Sequence, residues 1–140
     1  MKRYDDPMDF LINIDVDDLE KAARFYSAAF GLKVGRRFAF GIELLDGSAP
    51  IYMLAKPAGT PASDNVAQRR NYERHWTPVH LDFVTDDIDA EVERALSAGA
   101  RLERPVAAYT WGKLALMADP FGNGFCFVQF LGRGYDEIAE

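Results

Sequence analysis

His80 and Asp82 stand two residues apart in the run Val79-His80-Leu81-Asp82-Phe83. An imidazole titrates near neutrality and a neighbouring carboxylate can orient it, so the pair reads as candidate proton-transfer residues. The chain's single cysteine, Cys126, lies in Gly124-Phe-Cys-Phe-Val-Gln-Phe130. A nucleophilic thiol needs a base, a cation or a helix N-terminus to lower its pKa, and only His80 offers itself as partner. A free cysteine more often behaves as a small buried hydrophobe. Cys126 is therefore expected to line a pocket and to titrate as an ordinary thiol, near ~8.5. Asn13 and Asp15 hold equivalent places in an earlier stretch, Asp9-Phe-Leu-Ile-Asn-Ile-Asp15. Together with Asp82 they suit an amine or a hydroxyl-rich ligand through charge-assisted bonds, although Asp15, so close to a helix start, is better read as serving loop donors. Glu43 reads as a further cavity carboxylate. Tyr52, Tyr109 and Trp111 read as aromatics that could stack on an organic ligand, with Tyr109 or Trp111 closing the pocket. His75 is placed on the surface or in a linker, and the pairs Arg36-Arg37 and Arg69-Arg70 are expected to be solvated. No phosphate-binding glycine loop, nucleophile elbow or paired metal-binding cysteine motif is present.

The elements that must position these residues are written twice. Residues 10–31, FLINIDVDDLEKAARFYSAAFG, and 79–99, VHLDFVTDDIDAEVERALSAG, each give an alternating run, Asp-Asp, and an amphipathic run ending at glycine. Period-2 alternation puts Phe10, Ile12, Ile14 and Val16 on one strand face, with Leu11, Asn13 and Asp15 on the other. In the second copy Leu81 and Phe83 match the apolar face, while His80, Asp82 and Val84 match its opposite. Asp17 or Asp18 is expected to cap the first helix and Asp86 or Asp87 the second. The buried stripes are read as Leu19, Ala22, Ala23, Tyr26 and Phe30, and as Ile88, Val92, Ala95 and Leu96. Strands are expected near 33–40, 42–46 and 50–55, and again near 101–108, 111–118 and 124–131. Residues 64–75 suggest a short helix. The organisation is one domain over 1–140: module 1 at about 8–56, a linker over 57–76, module 2 at about 77–131 and a tail over 132–140. The fold class is α+β, two βαβββ modules.

Composition bounds the function. With 140 residues the chain can bury ~68% of its unfolded surface. A net charge of −6 argues against a nucleic-acid partner, and no apolar run approaches the ~20 residues of a membrane span. Met1-Lys-Arg-Tyr-Asp-Asp-Pro7 shows no signal-peptide pattern, and one cysteine fits a reducing cytoplasm.

Three stretches, VDDLEKAARFYSAAFGLKV, VHLDFVTDDIDAEVERALSAGA and ADPFGNGFCFVQF, together resemble the vicinal oxygen chelate superfamily of glyoxalases, bleomycin-resistance proteins and dioxygenases. The resemblance implies curved sheets around a concave cavity, with helices on the convex side. It also implies metal-ligand positions, which fall here on Leu11, on Ile51 to Met53, on His80 and on Cys126. Only His80 is a conventional ligand, and Asp82, within reach of it on the same face, is expected to be poorly placed to converge with it on one tetrahedral ion. The resemblance therefore implies no metal and no other cofactor. The expected function is metal-independent binding of a small organic ligand at Asn13, Glu43, His80, Asp82 and Cys126, as in the bleomycin-resistance branch. The alternative is a glyoxalase-type lyase or isomerase using His80, with or without a divalent metal. A homodimer is expected, with no membrane or nucleic-acid partner.

Overall fold

The computed structural model describes residues 7–140; the signal-peptide reading of the N-terminus falls largely on residues 1–6 and lies outside them. Module 1 runs β1 (Ile12–Val16), α1 (Leu19–Phe30), β2 (Lys33–Phe38), β3 (Gly41–Leu45) and β4 (Ile51–Ala55). Module 2 runs β5 (Leu81–Val84), α2 (Ile88–Ala98), β6 (Arg101–Leu102), β7 (Ala107–Tyr109), β8 (Gly112–Ala118) and β9 (Gly124–Phe130), followed by a 3-10 turn at Gly134–Glu137. The expected last-but-two strand over 101–108 is thus two short ones. Pro105 lies between them, and a residue without an N–H interrupts a ladder.

Both helices begin and end as their sequence signals dictate. Asp18 caps α1 through Lys21 N and Asp87 caps α2 through Ala90 N, while Gly31 and Gly99 close them in left-handed conformation. The α1 stripe is wider than expected, since Phe25 and Ala29 are buried along with Ala22, Ala23 and Tyr26. On α2, Leu96 is more than a third exposed.

The sheets have orders β1-β4-β3-β2 and β5-β9-β8-β6, with β7 also on β8. The first strand of each module pairs in parallel with the last, which only a crossover helix permits. β1 and β5 are the outer strands of their sheets, and two cavities lined by both strands separate them. The modules share one core beneath. Phe30 of α1 stacks on Phe83 of module 2 at 3.9 Å and 12°, edge-on to Phe125, and Arg94 Nε donates to Ala28 O between the helices.

The expected helix over 64–75 is absent. The segment has no apolar stripe to bury, and its polar side chains instead tie it down as a strap between the modules. Arg70 Nε donates to Asp15 at 2.7 Å, Tyr72 Oη donates to Lys56 O at 2.6 Å, and Arg74 reaches Glu103 in module 2. His75 is half-buried, its Nε2 2.9 Å from Asn123 Oδ1. The strap seats closely against Gly122, whose φ of +85° and whose lack of a Cβ are both needed: a Cβ there would lie 1.9 Å from Glu73 O. Arg70 is accordingly 18% exposed, not solvated, and Asp15 is taken up by it.

Candidate functional site

The positions of the candidate residues follow from register. In module 2 Asp82 is paired with Cys126, and Cys126 with Leu116. In module 1 Asn13 is paired with Tyr52, and Tyr52 with Glu43. These rows occupy corresponding places in the two modules and face away from the helices.

His80, Asp82 and Cys126 come together. His80 Nε2 lies 3.1 Å from Asp82 Oδ1, and one ligand atom from each of the three falls within 4.8 Å of the others. That the two also converge with Cys126 runs against the expectation that residues two apart on a strand are poorly placed to meet at one point. Residues two apart on a strand are separated by ~6.6 Å, but His80 precedes the first residue of β5 and its long side chain folds back over Asp82. His80 and Asp82 remain 54% and 38% exposed in their side chains, whereas Cys126 is buried. Its thiol is pushed up to about 12, first by burial and then by the charge of, and a hydrogen bond to, Asp82. The ordinary titration expected of it is thereby overturned.

A hollow of about 170 Å³ opens on Cys126, bounded by Arg74, Thr77, His80, Glu103 and Leu116. Arg74 and Glu103 were missed in the sequence. They lie 29 residues apart and meet only because the strap lies against β6, where Arg74 Nε and Nη2 both reach the Glu103 carboxylate. That pair holds Glu103 below the usual carboxylate range. The larger cavity between β1 and β5, about 620 Å³, carries Asn13, His75, Trp76 and His80 on its walls and Tyr26, Phe83 and Phe125 deeper in.

The other candidates lie elsewhere. Glu43 is buried and lines none of these cavities. Its carboxylate accepts the Arg36 N–H at 3.0 Å, the Arg36 guanidinium at 2.6 Å and the Tyr52 hydroxyl at 2.8 Å. A bulge in β2 between Val34 and Arg37 lets both backbone and side chain of Arg36 reach it. Arg36, by hydrogen bonding first of all, lowers Glu43 to about 2, and Glu43 in turn raises Arg36. Arg36 is therefore an ion-pair residue, not a solvated one. Tyr109 and Trp111 stack on each other at 5.2 Å, and Trp111 meets Tyr135 at the same distance. They close none of the cavities described above.

A divalent metal here would rest on module 2 alone, where one ligand atom each of His80, Asp82 and Cys126 lies within 4.8 Å of the others. Leu11 offers no lone pair, and Tyr52, the residue of Ile51 to Met53 that pairs with Asn13, has given its hydroxyl to Glu43. Module 1 adds no histidine, cysteine or free carboxylate to them, so the set stops at three protein donors.

Against known families, the glyoxalase-like domain model matches residues 11–128. The chain belongs to the glyoxalase-like family. An uncharacterised protein of Mycobacterium bovis is 40% identical over 54 residues, 38% of this chain and 36% of that protein. The chain thus spans about a third of the length of the curated relatives it matches. A glyoxalase/bleomycin resistance protein/dioxygenase family enzyme from Burkholderia phytofirmans superposes with a TM-score of 0.69 at 21% identity, over 86% of this chain and 97% of its own. Lactoylglutathione lyase from Agrobacterium tumefaciens does so with a TM-score of 0.60 at 19% identity, over 88% and 95%. At these identities the glyoxalase-like fold is what is shared. Among the described residues no helix is long and apolar enough to cross a membrane.

Proposed function

We propose that this glyoxalase-like protein binds a small organic molecule without a metal, in the manner of the bleomycin-resistance branch. The observation that carries the reading is the wall of His80, Asp82 and Cys126, built in a single module while the matching positions of module 1 hold Leu11, Asn13 and Tyr52. A carboxylate and an imidazole half-open to solvent beside an apolar thiol suit an amine or hydroxyl-rich ligand, with Asn13 facing it across the gap between β1 and β5. A reducing cytoplasm would keep the lone thiol free.

The test is elemental analysis together with a thermal-shift screen of small amines and polyols in chelator. The expected result is no stoichiometric metal, an unchanged melting temperature on chelation, and stabilising compounds whose effect disappears in Asp82→Asn. About one zinc, nickel or iron per chain, lost with activity in His80→Ala, would overturn the binding reading and put the enzyme first. The 3.1 Å contact of His80 with Asp82 is what favours that second reading, a lyase or isomerase in which Asp82 orients the ring and His80 moves a proton. Conversion of lactoylglutathione, abolished by His80→Ala, would establish it.

The protein is also proposed to be a homodimer. Tyr109, Phe130, Leu131 and Tyr135 are each 40–52% exposed and adjoin one another at the end of module 2, a patch of the kind that covers itself in a two-fold pair. Light scattering at micromolar concentration is expected to give twice the chain mass; a monomer there removes the dimer.

A further inference from the structure

The strap carries one side chain whose hydrogen bonds count its protons. His75 presents both ring nitrogens to acceptors: Nδ1 lies 2.8 Å from the Glu73 carbonyl oxygen, and Nε2 lies 2.9 Å from Asn123 Oδ1. The carbonyl can only accept. The Asn123 amide could offer its NH2 to the ring only by turning over, and Asp119 opposes that. Asn123 Nδ2 donates to Asp119 Oδ2 at 3.0 Å, so the turned amide would set its oxygen against a buried carboxylate. A neutral imidazole has one N–H and one lone pair, and would aim the lone pair at one of its two facing oxygens. Only the imidazolium donates to both.

The groups around the ring are Glu73 and Arg74 on the strap, Asp119 behind Asn123, and the Tyr26 hydroxyl of α1 on Asp119. Glu103 lies beyond them on Arg74, and Asp15, Arg70 and His80 line the same cavity. Arg74 and Glu103 keep their charges through neutral pH, because the bond between them raises the one and lowers the other. Burial, then the charge of Asp119, raises the Tyr26 phenol, which keeps its proton. An imidazole is the side chain that changes charge near neutrality, and the chain has two, His75 and His80. His80 is engaged with Asp82. The strap's other described anchors are Arg70 on Asp15, Tyr72 on Lys56 O and Arg74 on Glu103, so His75 is the one that can switch.

We propose that His75 is a proton-operated clasp, fastening the strap to the turn before β9 and so controlling one wall of the larger cavity. Closing the strap takes up a proton, so the closed form is favoured at low pH and is lost as pH rises through neutrality. In the neutral form the ring gives up one of its two bonds, and the His75 N–H to Gly122 O bond of 3.0 Å is left to hold that end. Gln68, Tyr72, His75 and Trp76 belong to the wall of the 620 Å³ cavity, so release of the clasp widens its mouth. The clasp rests on the ligand-binding reading only for what would pass through that mouth.

Native-state amide exchange between pH 5.5 and 8, corrected for its intrinsic rise with pH, decides the matter. The His75 amide reports the clasp and the α2 amides serve as reference. Opening at His75 is expected to become about tenfold more frequent over that range, as the loss of a bond from a charged donor requires. The rise should survive His80→Gln and disappear in His75→Gln, whose side chain has no charge to lose. Nitrogen-15 spectra of the unaltered ring supply a readout that needs no variant. The two His75 nitrogens should be alike and protonated while the amide is protected, and become unlike in step with its exposure. Equal corrected exchange at both ends of the range would overturn the proposal. So would a rise that persists in His75→Gln, or a neutral ring beneath a protected amide. No ligand enters the experiment, so its outcome is separate from that of the amine and polyol screen.

Discussion

Replacing Asp119 with alanine is expected to lower the unfolding free energy by about 3–5 kcal/mol, because it strips the partner from several buried donors at once. Asp119 is 1% exposed. Its Oδ1 accepts the N–H groups of Phe121 and Asn123 at 2.8 and 3.0 Å, and its Oδ2 accepts Asn123 Nδ2 at 3.0 Å and the Tyr26 hydroxyl at 2.6 Å. The first three bonds fold the Asp-Pro-Phe-Gly-Asn turn before β9; the fourth fastens α1 of module 1 to that turn in module 2. Burial first, then the charge of Asp119, raises the Tyr26 phenol well above its ordinary range, so the hydroxyl stays a donor. For a domain of this size the loss corresponds to a fall of ~10–15 °C in melting temperature. Tyr26→Phe removes one bond and should cost about 1–3 kcal/mol. Calorimetry of both variants decides the matter. A shift under ~2 °C for Asp119→Ala would mean that the turn is held by its backbone alone.

Cys126 should react with thiol reagents at pH 8 roughly a thousandfold more slowly in the folded protein than after denaturation. The thiol ordinarily titrates near 9.0 and is pushed up to about 12 here, and the thiolate is the reacting species. Asp82→Asn removes a charge and a hydrogen bond that both oppose ionisation, so it should speed folded-state labelling. The same shift sets the sign of a pH effect on stability. The folded thiol holds its proton more tightly than the unfolded one, so its contribution is fully present below about 9 and is lost as pH rises toward 12. Over that window stability should fall by up to ~1.4 kcal/mol per pH unit, and the fall should be absent in Cys126→Ala. Rapid labelling of the folded protein at pH 6 would instead reveal an activated nucleophile, with His80 as its base.

The duplicated architecture was legible because its signals are local. Alternation in residues 10–16 and 79–84, aspartates ahead of each helix and glycines behind them are short-range patterns, and the structure uses them at Asp18, Asp87, Gly31 and Gly99. The strap was misread for the opposite reason. Residues 64–75 contain good helix formers, but their conformation is decided by partners far along the chain: Asp15 for Arg70, Glu103 for Arg74 and Asn123 for His75.

The candidate site divides in the same way. Period-2 geometry was enough to put His80 and Asp82 on one face, whereas Cys126 joined them, and Leu11 marked a missing ligand, only through the family resemblance. That His80, Asp82 and Cys126 converge within 4.8 Å depends on a side chain turning back at a strand end, which no spacing rule contains. Glu43 looked like a cavity acid since its neighbours are apolar, yet a bulge in β2 brings Arg36 over it and removes it from any ligand's reach. The sequence by itself determined which residues share a face, because side-chain direction alternates with every peptide. Which of those residues are spent on one another and which remain open to a ligand was decided by tertiary contacts, because hydrogen bonds and ion pairs form between strands that chain order does not place side by side.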